Sequence, residues 1–283
     1  MNRSRRPLVY KLLICAWILF SFSGLTRAND TPQQLAKIAI IIDDLGYNLN
    51  YGLQAARYPG PLTLAVLPFG PNSQTLAKTG YQHGKEIMLH APMSTLTPRP
   101  MDKGGLSEDM DRATFIKTLR DNIHAIPYIS GLNNHMGSAL TQHQQSMHWL
   151  MSEVRQHGLF FIDSRTSAAS IAQQTAENHQ VPSRTRDVFL DHERTPEAVA
   201  RQFQRLITIA HEQGSAIAIG HPAKVTMDFL NSQANNFEKL GVQLVNVSEL
   251  LPQSAPSLEY LADEAHTGTP IFEDFIPAEQ VVY

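Results

Sequence analysis

The chain has 283 residues, with 23 Lys and Arg against 26 Asp and Glu, giving a formal net charge of −3. Nucleic acids and anionic membrane surfaces require a basic protein face, so this balance argues against both as partners. The single cysteine is Cys15, so a chain that loses its first 28 residues has no disulfide and depends on its hydrophobic core for stability.

Residues 1–28 have the pattern of a secretory signal peptide. A basic stretch (MNRSRRPLVYK) precedes an apolar run of 13 residues (LLICAWILFSFSG), and LTRA places a small residue before Asn29. The apolar run is shorter than the ~20 residues that span a bilayer, although an uncleaved anchor is the alternative. Five of the bases lie in this segment, so 18 bases face 26 acids in the remaining chain, a net charge of about −8. We therefore predict an exported, periplasmic protein that meets the membrane only through this segment, if the segment is not cleaved.

Short β-rich runs alternate with helical stretches between residues 37 and 251. The runs are 38–43, 62–67, 86–90, 129–134, 158–163, 187–191, 215–220 and 242–247. Several are almost continuously apolar, which is typical of strands buried on both faces. Seven or eight such strands separated by helices predict a parallel sheet closed into a barrel, with an open doubly wound sheet as the alternative.

Two helical stretches have recognisable ends. In RTPEAVARQFQRLITIAHEQG, Thr195 is the predicted N-cap, Pro196 lies in the first turn, and Gly214 lies just past the end. The second stretch, HPAKVTMDFLNSQANNFEKLG, is predicted to end at Gly241.

The composition changes from residue 252. Residues 252–283 contain six acids and four prolines but no lysine or arginine, and they show little periodicity. This composition predicts an acidic tail that is flexible or wraps loosely over the surface, which leaves 29–251 as the folded domain.

Titratable residues stand at the ends of the predicted strands. They are Asp43, Asp44, His90, His135, Asp163, Asp191 and His221. In a parallel barrel the carboxyl ends of all strands lie on one face, where the active sites of such barrels form. The convergence of six strand ends on one rim favours the barrel over the open sheet.

One aspartate and two histidines from separate strands suit a divalent metal such as zinc, with one position left open for water. We predict Asp44, His90 and His135 as the ligands. Adjacent strand residues point in different directions, so Asp43 is predicted to face the substrate as a general base. His221 is predicted to be the general acid that protonates the leaving group.

Asp163 and Asp191 are less distinctive. Asp163 is predicted to orient His221 or to bind metal or substrate, but its sequence, DSRTS, is also typical of a helix N-cap. For Asp191 the sequence pattern favours a role in the site and an ordinary structural role about equally.

Six motifs occur in a fixed order: IAIIIDDLG, IMLHAPM, GLNNHMGS, GLFFIDSRTS, VFLD and AIAIGHP. Together they resemble the divergent polysaccharide deacetylase family, a distant branch of the NodB-like carbohydrate esterases, over residues 37–251. The resemblance implies a distorted (β/α) barrel and metal-dependent removal of N-acetyl groups from an amino-sugar polymer such as peptidoglycan. It also implies that Asp43 is the base, that Asp44 and His90 bind metal, and that His221 is the acid.

Two departures from the family pattern leave alternatives open. The usual H-x-x-x-H motif has Ser94 four residues after His90, and His135 is the substitute ligand that spacing and chemistry suggest. The arginine–proline–tyrosine motif is replaced by NNHMGS, where backbone donors around Gly137 or the side-chain amides of Asn133 and Asn134 are candidate oxyanion donors. A catalytically silent envelope protein that binds glycans or partners is one alternative, and an esterase or amidase acting on another acyl substrate is a second.

Overall fold

The computed structural model describes residues 35–252. The predicted signal segment and the predicted tail beyond Pro252 lie outside the described residues. Among residues 35–252, no helix is both long enough and apolar enough to cross a membrane.

Residues 35–252 form nine strands and seven α-helices. The strands are β1 (Ala36–Leu45), β2 (Thr63–Val66), β3 (Glu86–Met93), β4 (Ile129–Met136), β5 (Phe160–Asp163), β6 (Ser183–Thr185), β7 (Val188–Phe189), β8 (Ser215–Gly220) and β9 (Val242–Val245). The helices are α1 (Leu49–Ala56), α2 (Ser73–Gln82), α3 (Arg112–Ala125), α4 (Gln144–Gln156), α5 (Ala172–Asn178), α6 (Pro196–Gln213) and α7 (Lys224–Gln233).

The strands form one curled parallel sheet in the order β6-β5-β4-β3-β2-β1-β8-β7. β9 pairs with residues Ala36–Ala39 at the start of β1, and the pairing of β1 with β2 begins further along, at Ile41. In the described part of the chain β6 and β7 are the two edges of the sheet and do not pair with each other. The predicted α/β barrel is therefore confirmed in a distorted, incompletely closed form.

Both faces of the sheet are buried, and β1 shows why its sequence is so apolar. Ile38, Ile40 and Ile42 pack outward in the core under the helices, whereas Ala39 and Ile41 point into the barrel. The inner core also contains Ala65, Met88, Phe160, Ile162, Ile217, Ile219 and Val247. A second core inside the curl, enclosed by the strands themselves, distinguishes this fold from an open doubly wound sheet.

The predicted helix ends are right for α6 and wrong for α7. Thr195 caps α6 by accepting a hydrogen bond from the Ala198 N–H at 3.2 Å, and Gly214 follows in the left-handed region with φ +82°. α7 ends at Gln233, and a separate 3₁₀ turn (Glu238–Leu240) leads to Gly241. The left-handed glycine was correctly placed as a stop signal, but it ends the turn rather than the helix.

The predicted strand 187–191 is shorter than expected. Its regular part, β7, covers only Val188–Phe189, and the preceding strand β6 (Ser183–Thr185) was not predicted. Both are short edge strands, and SRT has no apolar run, so neither carries the periodicity that identifies a strand buried on both faces.

Candidate active site

A bulge at the end of β1 places the adjacent carboxylates of Asp43 and Asp44 near the same histidine, His90. The register between β1 and β2 shifts between Ile42 and Leu45, and Asp44 has a left-handed backbone with φ +56°. His90 Nε2 consequently lies 3.1 Å from Asp44 Oδ1 and 3.7 Å from Asp43 Oδ2. The bulge interrupts the regular alternation of side chains at the end of β1, and one oxygen of each carboxylate lies near His90 Nε2.

The three predicted metal ligands lie together at this rim. One donor atom each from Asp44, His90 and His135 falls within 4.8 Å of the others. His135 Nδ1 is 2.8 Å from Asp44 Oδ1 and 3.1 Å from His90 Nε2. One carboxylate and two imidazoles from different strands form a donor set that fits a divalent cation such as zinc.

The ionisation of these groups reflects one buried carboxylate, Asp43, and one partly exposed carboxylate, Asp44, that lie close to the same histidine. Burial raises the pKa of Asp43 above its usual range, although His90 and His221 oppose this. Burial also acts to raise the pKa of Asp44, but hydrogen bonds from His135 and His90 outweigh it and hold that pKa far below its usual range. Burial disfavours the charged form of His90, yet the two carboxylates prevail and raise its pKa to about 9. Positive charge is thus favoured where the three donor atoms meet.

Asn133 connects a metal-ligand candidate to the candidate base. Its carboxamide oxygen lies 2.7 Å from His90 Nδ1, and its Nδ2 donates to Asp43 Oδ1 at 2.8 Å. With Nδ1 of His90 occupied in this way, Nε2 is left to face Asp44 and His135. Asn133 is fully buried and therefore fixes both side chains.

His221 lies across the rim on the loop after β8. Its Nδ1 pairs with Asp191 Oδ1 at 2.8 Å, and its Nε2 lies 3.7 Å from Asp44 Oδ2. Burial lowers the pKa of His221, but Asp191 outweighs this and raises it above the ordinary value. An imidazole held in this way turns its Nε2 toward the site.

Residues 40–251 match the family model described as divergent polysaccharide deacetylase. The chain belongs to this family. The resemblance inferred from the six sequence motifs is thereby confirmed.

Known proteins similar to this deacetylase-family chain come from several bacteria. It is 34% identical over 224 residues to "Uncharacterized protein YibQ" of Escherichia coli (strain K12), covering 79% of this chain and 70% of that protein. An "Uncharacterized protein" of Haemophilus influenzae (strain ATCC 51907 / DSM 11121 / KW20 / Rd) is 34% identical over 215 residues, 76% of each chain. The crystal structure of uncharacterized protein ATU2773 from Agrobacterium tumefaciens C58 matches with a TM-score of 0.72 at 24% identity, covering 77% of this chain and 89% of that one. That structural match supports the fold.

Asp163 does not reach His221. Its Oδ1 accepts the Arg165 N–H at 2.7 Å, and its Oδ2 accepts the Ser170 hydroxyl at 2.7 Å. The structure therefore does not place Asp163 in the orienting role that the sequence suggested for it, and Asp191 occupies that position. The bonds of Asp163 shape the loop after β5, in keeping with the turn-forming character of DSRTS.

The two asparagines of NNHMGS are already engaged. Asn133 holds Asp43 and His90, while Asn134 accepts the Ser164 N–H at 2.9 Å and donates to the Met136 carbonyl at 2.7 Å. These bonds make the pair a scaffold for the rim, and they argue against the oxyanion-donor role considered from the sequence.

Sequence reasoning missed Asp102 and Tyr47. Asp102 Oδ2 lies 3.3 Å from His135 Nε2, and the Tyr47 hydroxyl donates to Asp102 Oδ1 at 2.5 Å. Asp102 belongs to an irregular segment far from any strand end, so no periodicity marks it. Tyr47 is three residues beyond Asp44, and that proximity to the aspartate pair is the one sequence signal that points to it.

Proposed function

We propose that this protein is an exported, zinc-dependent polysaccharide deacetylase that removes N-acetyl groups from an amino-sugar polymer such as peptidoglycan. Family membership and the barrel support a deacetylase-like protein. The observation that carries the finer proposal is the convergence of a complete set of groups for amide hydrolysis: Asp43, Asp44, His90, His135 and His221.

The donor atoms that would hold the ion are Asp44 Oδ1, His90 Nε2 and His135 Nδ1. When bound, a divalent cation polarises the amide carbonyl and makes the attacking water more acidic. Asn133 fixes the ring of His90 by accepting from its Nδ1, so the ligand is already oriented.

Asp43 and His221 supply the proton transfers. Asp43 is buried, with a raised pKa, and it is the carboxylate suited to take a proton from the attacking water. As the water oxygen bonds to the carbonyl carbon and the C–N bond breaks, His221 Nε2 delivers a proton to the departing nitrogen. The immediate products are acetic acid and the free amine, with the proton from water on Asp43 and none on His221 Nε2. Proton exchange through solvent then gives acetate and the protonated amino sugar and restores both side chains, so atoms and charge balance without another reactant.

The test is acetate release from N-acetylglucosamine oligomers. We expect activity that a chelator removes and zinc restores, and that Asp44→Ala abolishes. Asp121→Asn is the matched control, because Asp121 is an exposed aspartate of α3 paired only with Lys117 in the described region. Acetate release unaffected by both the chelator and Asp44→Ala would contradict the proposal.

The export part of the proposal depends on residues 1–28. We expect the protein isolated from the periplasm to begin at Asn29. N-terminal sequencing of that fraction tests this, and a protein that retains Met1 in the cytoplasmic fraction would refute it.

A catalytically silent glycan- or partner-binding envelope protein is the second candidate, and the observation that favours it is Ser94 in place of the usual second histidine. An Asp43→Asn, His221→Ala double variant separates the two in cells that lack the native protein. Loss of the cellular function favours the enzyme, whereas full retention favours the silent protein. Release of acetate from O-acetyl esters but not from N-acetyl sugars would instead indicate an esterase at the same site.

A further inference from the structure

We propose that Asp102 is a positioning residue for His135, and that Ser94 anchors the segment that brings Asp102 to it. The inference rests on the proposed metal site. It concerns residues 94–110, here called the strap, which connect β3 to α3.

His135 presents its two nitrogens to different neighbours. Nδ1 faces Asp44 Oδ1 at 2.8 Å and His90 Nε2 at 3.1 Å, which is where a cation would lie. Nε2 points the other way, is buried, and has no aligned hydrogen bond within residues 35–252. The carboxylate that faces it is Asp102, with Oδ2 at 3.3 Å.

Asp102 is itself held in place. The Tyr47 hydroxyl donates to Oδ1 at 2.5 Å, which leaves Oδ2 turned toward His135. Because Tyr47 follows Asp44 by three residues, this bond ties the loop after β1 to the strap. The carboxylate thus connects the ligand candidate His135 to the loop that follows the ligand candidate Asp44.

Ser94 fastens the strap to the rim. Its N–H donates to the Leu106 carbonyl at 2.9 Å, and its hydroxyl donates to Glu108. Its carbonyl accepts the Ala139 N–H at 3.1 Å, on the loop that follows His135. One residue therefore joins the strap that carries Asp102 to the loop that continues from His135.

The strap has a second anchor at its middle. Asn122 of α3 donates to the Gly104 carbonyl at 2.7 Å. Gly104 has φ +88°, and a Cβ atom there would lie 2.2 Å from Asn122 Oδ1, so the close approach requires glycine. Asp102 lies between this anchor and Ser94, which fixes its position over the rim.

These contacts give a physical reason for the departure at Ser94. A histidine that binds metal through one nitrogen needs an acceptor at the other, which fixes the tautomer and raises the basicity of the ligand. Ser94 stands where the family pattern has its second histidine, and it holds together the substitute ligand and that ligand's acceptor. The change at position 94 and the ligand at position 135 are parts of one arrangement.

Zinc affinity, measured by competition with a chromogenic chelator, tests the inference. In Asp102→Asn the carboxamide oxygen can still accept from Tyr47, but an NH₂ group then faces the Nε2–H of His135. We expect zinc binding to weaken by about 10–100-fold, the range for loss of a residue that accepts a hydrogen bond from a ligating histidine. Asp109→Asn is the matched control, since Asp109 is an exposed aspartate of the same strap, and it is expected to leave the affinity unchanged.

Two readouts separate positioning from a general loss of structure. The melting temperature of the zinc-free protein should match between Asp102→Asn and wild type, while the rise in melting temperature on adding zinc should shrink. Imidazole ¹⁵N shifts of the zinc-loaded wild type should show His135 with its proton on Nε2. If Asp102→Asn does not fold, Tyr47→Phe should give a smaller fall in affinity in the same direction.

The outcomes distinguish this inference from the proposed function. Equal zinc affinity in wild type and Asp102→Asn overturns the inference and leaves the proposed function standing. A wild-type protein that binds no zinc overturns both. A His135 proton on Nδ1 in the zinc-loaded protein also overturns the inference.

Discussion

His221 and Asp191 are joined by two hydrogen bonds at the rim. The imidazole Nδ1 of His221 lies 2.8 Å from Asp191 Oδ1, and the backbone N–H of His221 donates to Asp191 Oδ2 at 2.7 Å. The Thr226 hydroxyl also donates to Oδ2, at 2.6 Å. The ring of His221 can therefore neither rotate nor easily lose its proton from Nδ1. This arrangement leaves Nε2 as the atom that would exchange protons with a substrate in the proposed reaction.

Asp191→Asn should lower the rate and shift its pH profile. Asp191 raises the pKa of His221, so removal of its charge lowers that pKa. Because an acid is active only when protonated, the alkaline limb of kcat/KM should move to lower pH, and the rate should fall by about 10²–10⁴-fold. Asp228→Asn, at an exposed aspartate of α7 paired with Lys224, should leave the profile unchanged. An unmoved alkaline limb in Asp191→Asn would show that His221 is not the acid.

Asn133→Ala should affect both the base and the metal. The hydrogen bond from Asn133 lowers the pKa of Asp43, so its loss raises that pKa and moves the acidic limb of kcat/KM to higher pH. His90 also loses the acceptor of its Nδ1–H, so zinc affinity should fall by about 10–100-fold.

Asn134→Ala is the matched control for Asn133→Ala. Asn134 is the next residue of β4 and bonds to Ser164 and Met136 rather than to Asp43 or His90. It should lower the free energy of unfolding by about 1–3 kcal/mol while leaving the acidic limb in place. Identical pH profiles in the two variants would mean that Asn133 acts only as scaffold.

Gly46→Ala should disturb the turn that follows the aspartate pair. Gly46 has φ +140°, and a Cβ atom there would lie 2.6 Å from Ser73 Oγ. We expect the free energy of unfolding in urea to fall by about 1–3 kcal/mol through backbone strain, together with weaker zinc binding as Asp44 shifts. Gly84→Ala has a positive φ of +71° but no atom within 4 Å, so it should cost less stability and leave zinc binding intact. Equal losses of stability in Gly46→Ala and Gly84→Ala would show that the close contact with Ser73 is not what destabilises Gly46→Ala.

The barrel and most of the rim follow from the sequence for a simple reason. Parallel strands buried on both faces give long apolar runs, and their carboxyl ends converge on one face whatever the lengths of the helices between them. Asp44, His90, His135 and His221 could therefore be grouped from strand ends alone, and the structure brings them together.

The remaining features of the site depend on local geometry that cannot be read from the sequence pattern. The bulge at Asp44 is a matter of backbone dihedral angles, and a period-two pattern cannot show it. Asp163 and Asp191 both follow apolar runs, so the choice between them required the hydrogen bonds of His221. Asp102 reaches the site from an irregular strap, where neither helical nor strand periodicity applies.

Asp163→Asn tests that distinction directly. Asp163 accepts the Arg165 N–H and the Ser170 hydroxyl but has no hydrogen bond to His221, so the variant should weaken the loop after β5. We expect the free energy of unfolding to fall by about 1–3 kcal/mol, as for hydrogen bonds to a charged group, with both limbs of the pH profile unmoved. Urea unfolding and kcat/KM against pH, measured on the same preparation, check this. A displaced alkaline limb with unchanged stability would instead show that Asp163 acts on His221, as its place at a strand end suggested.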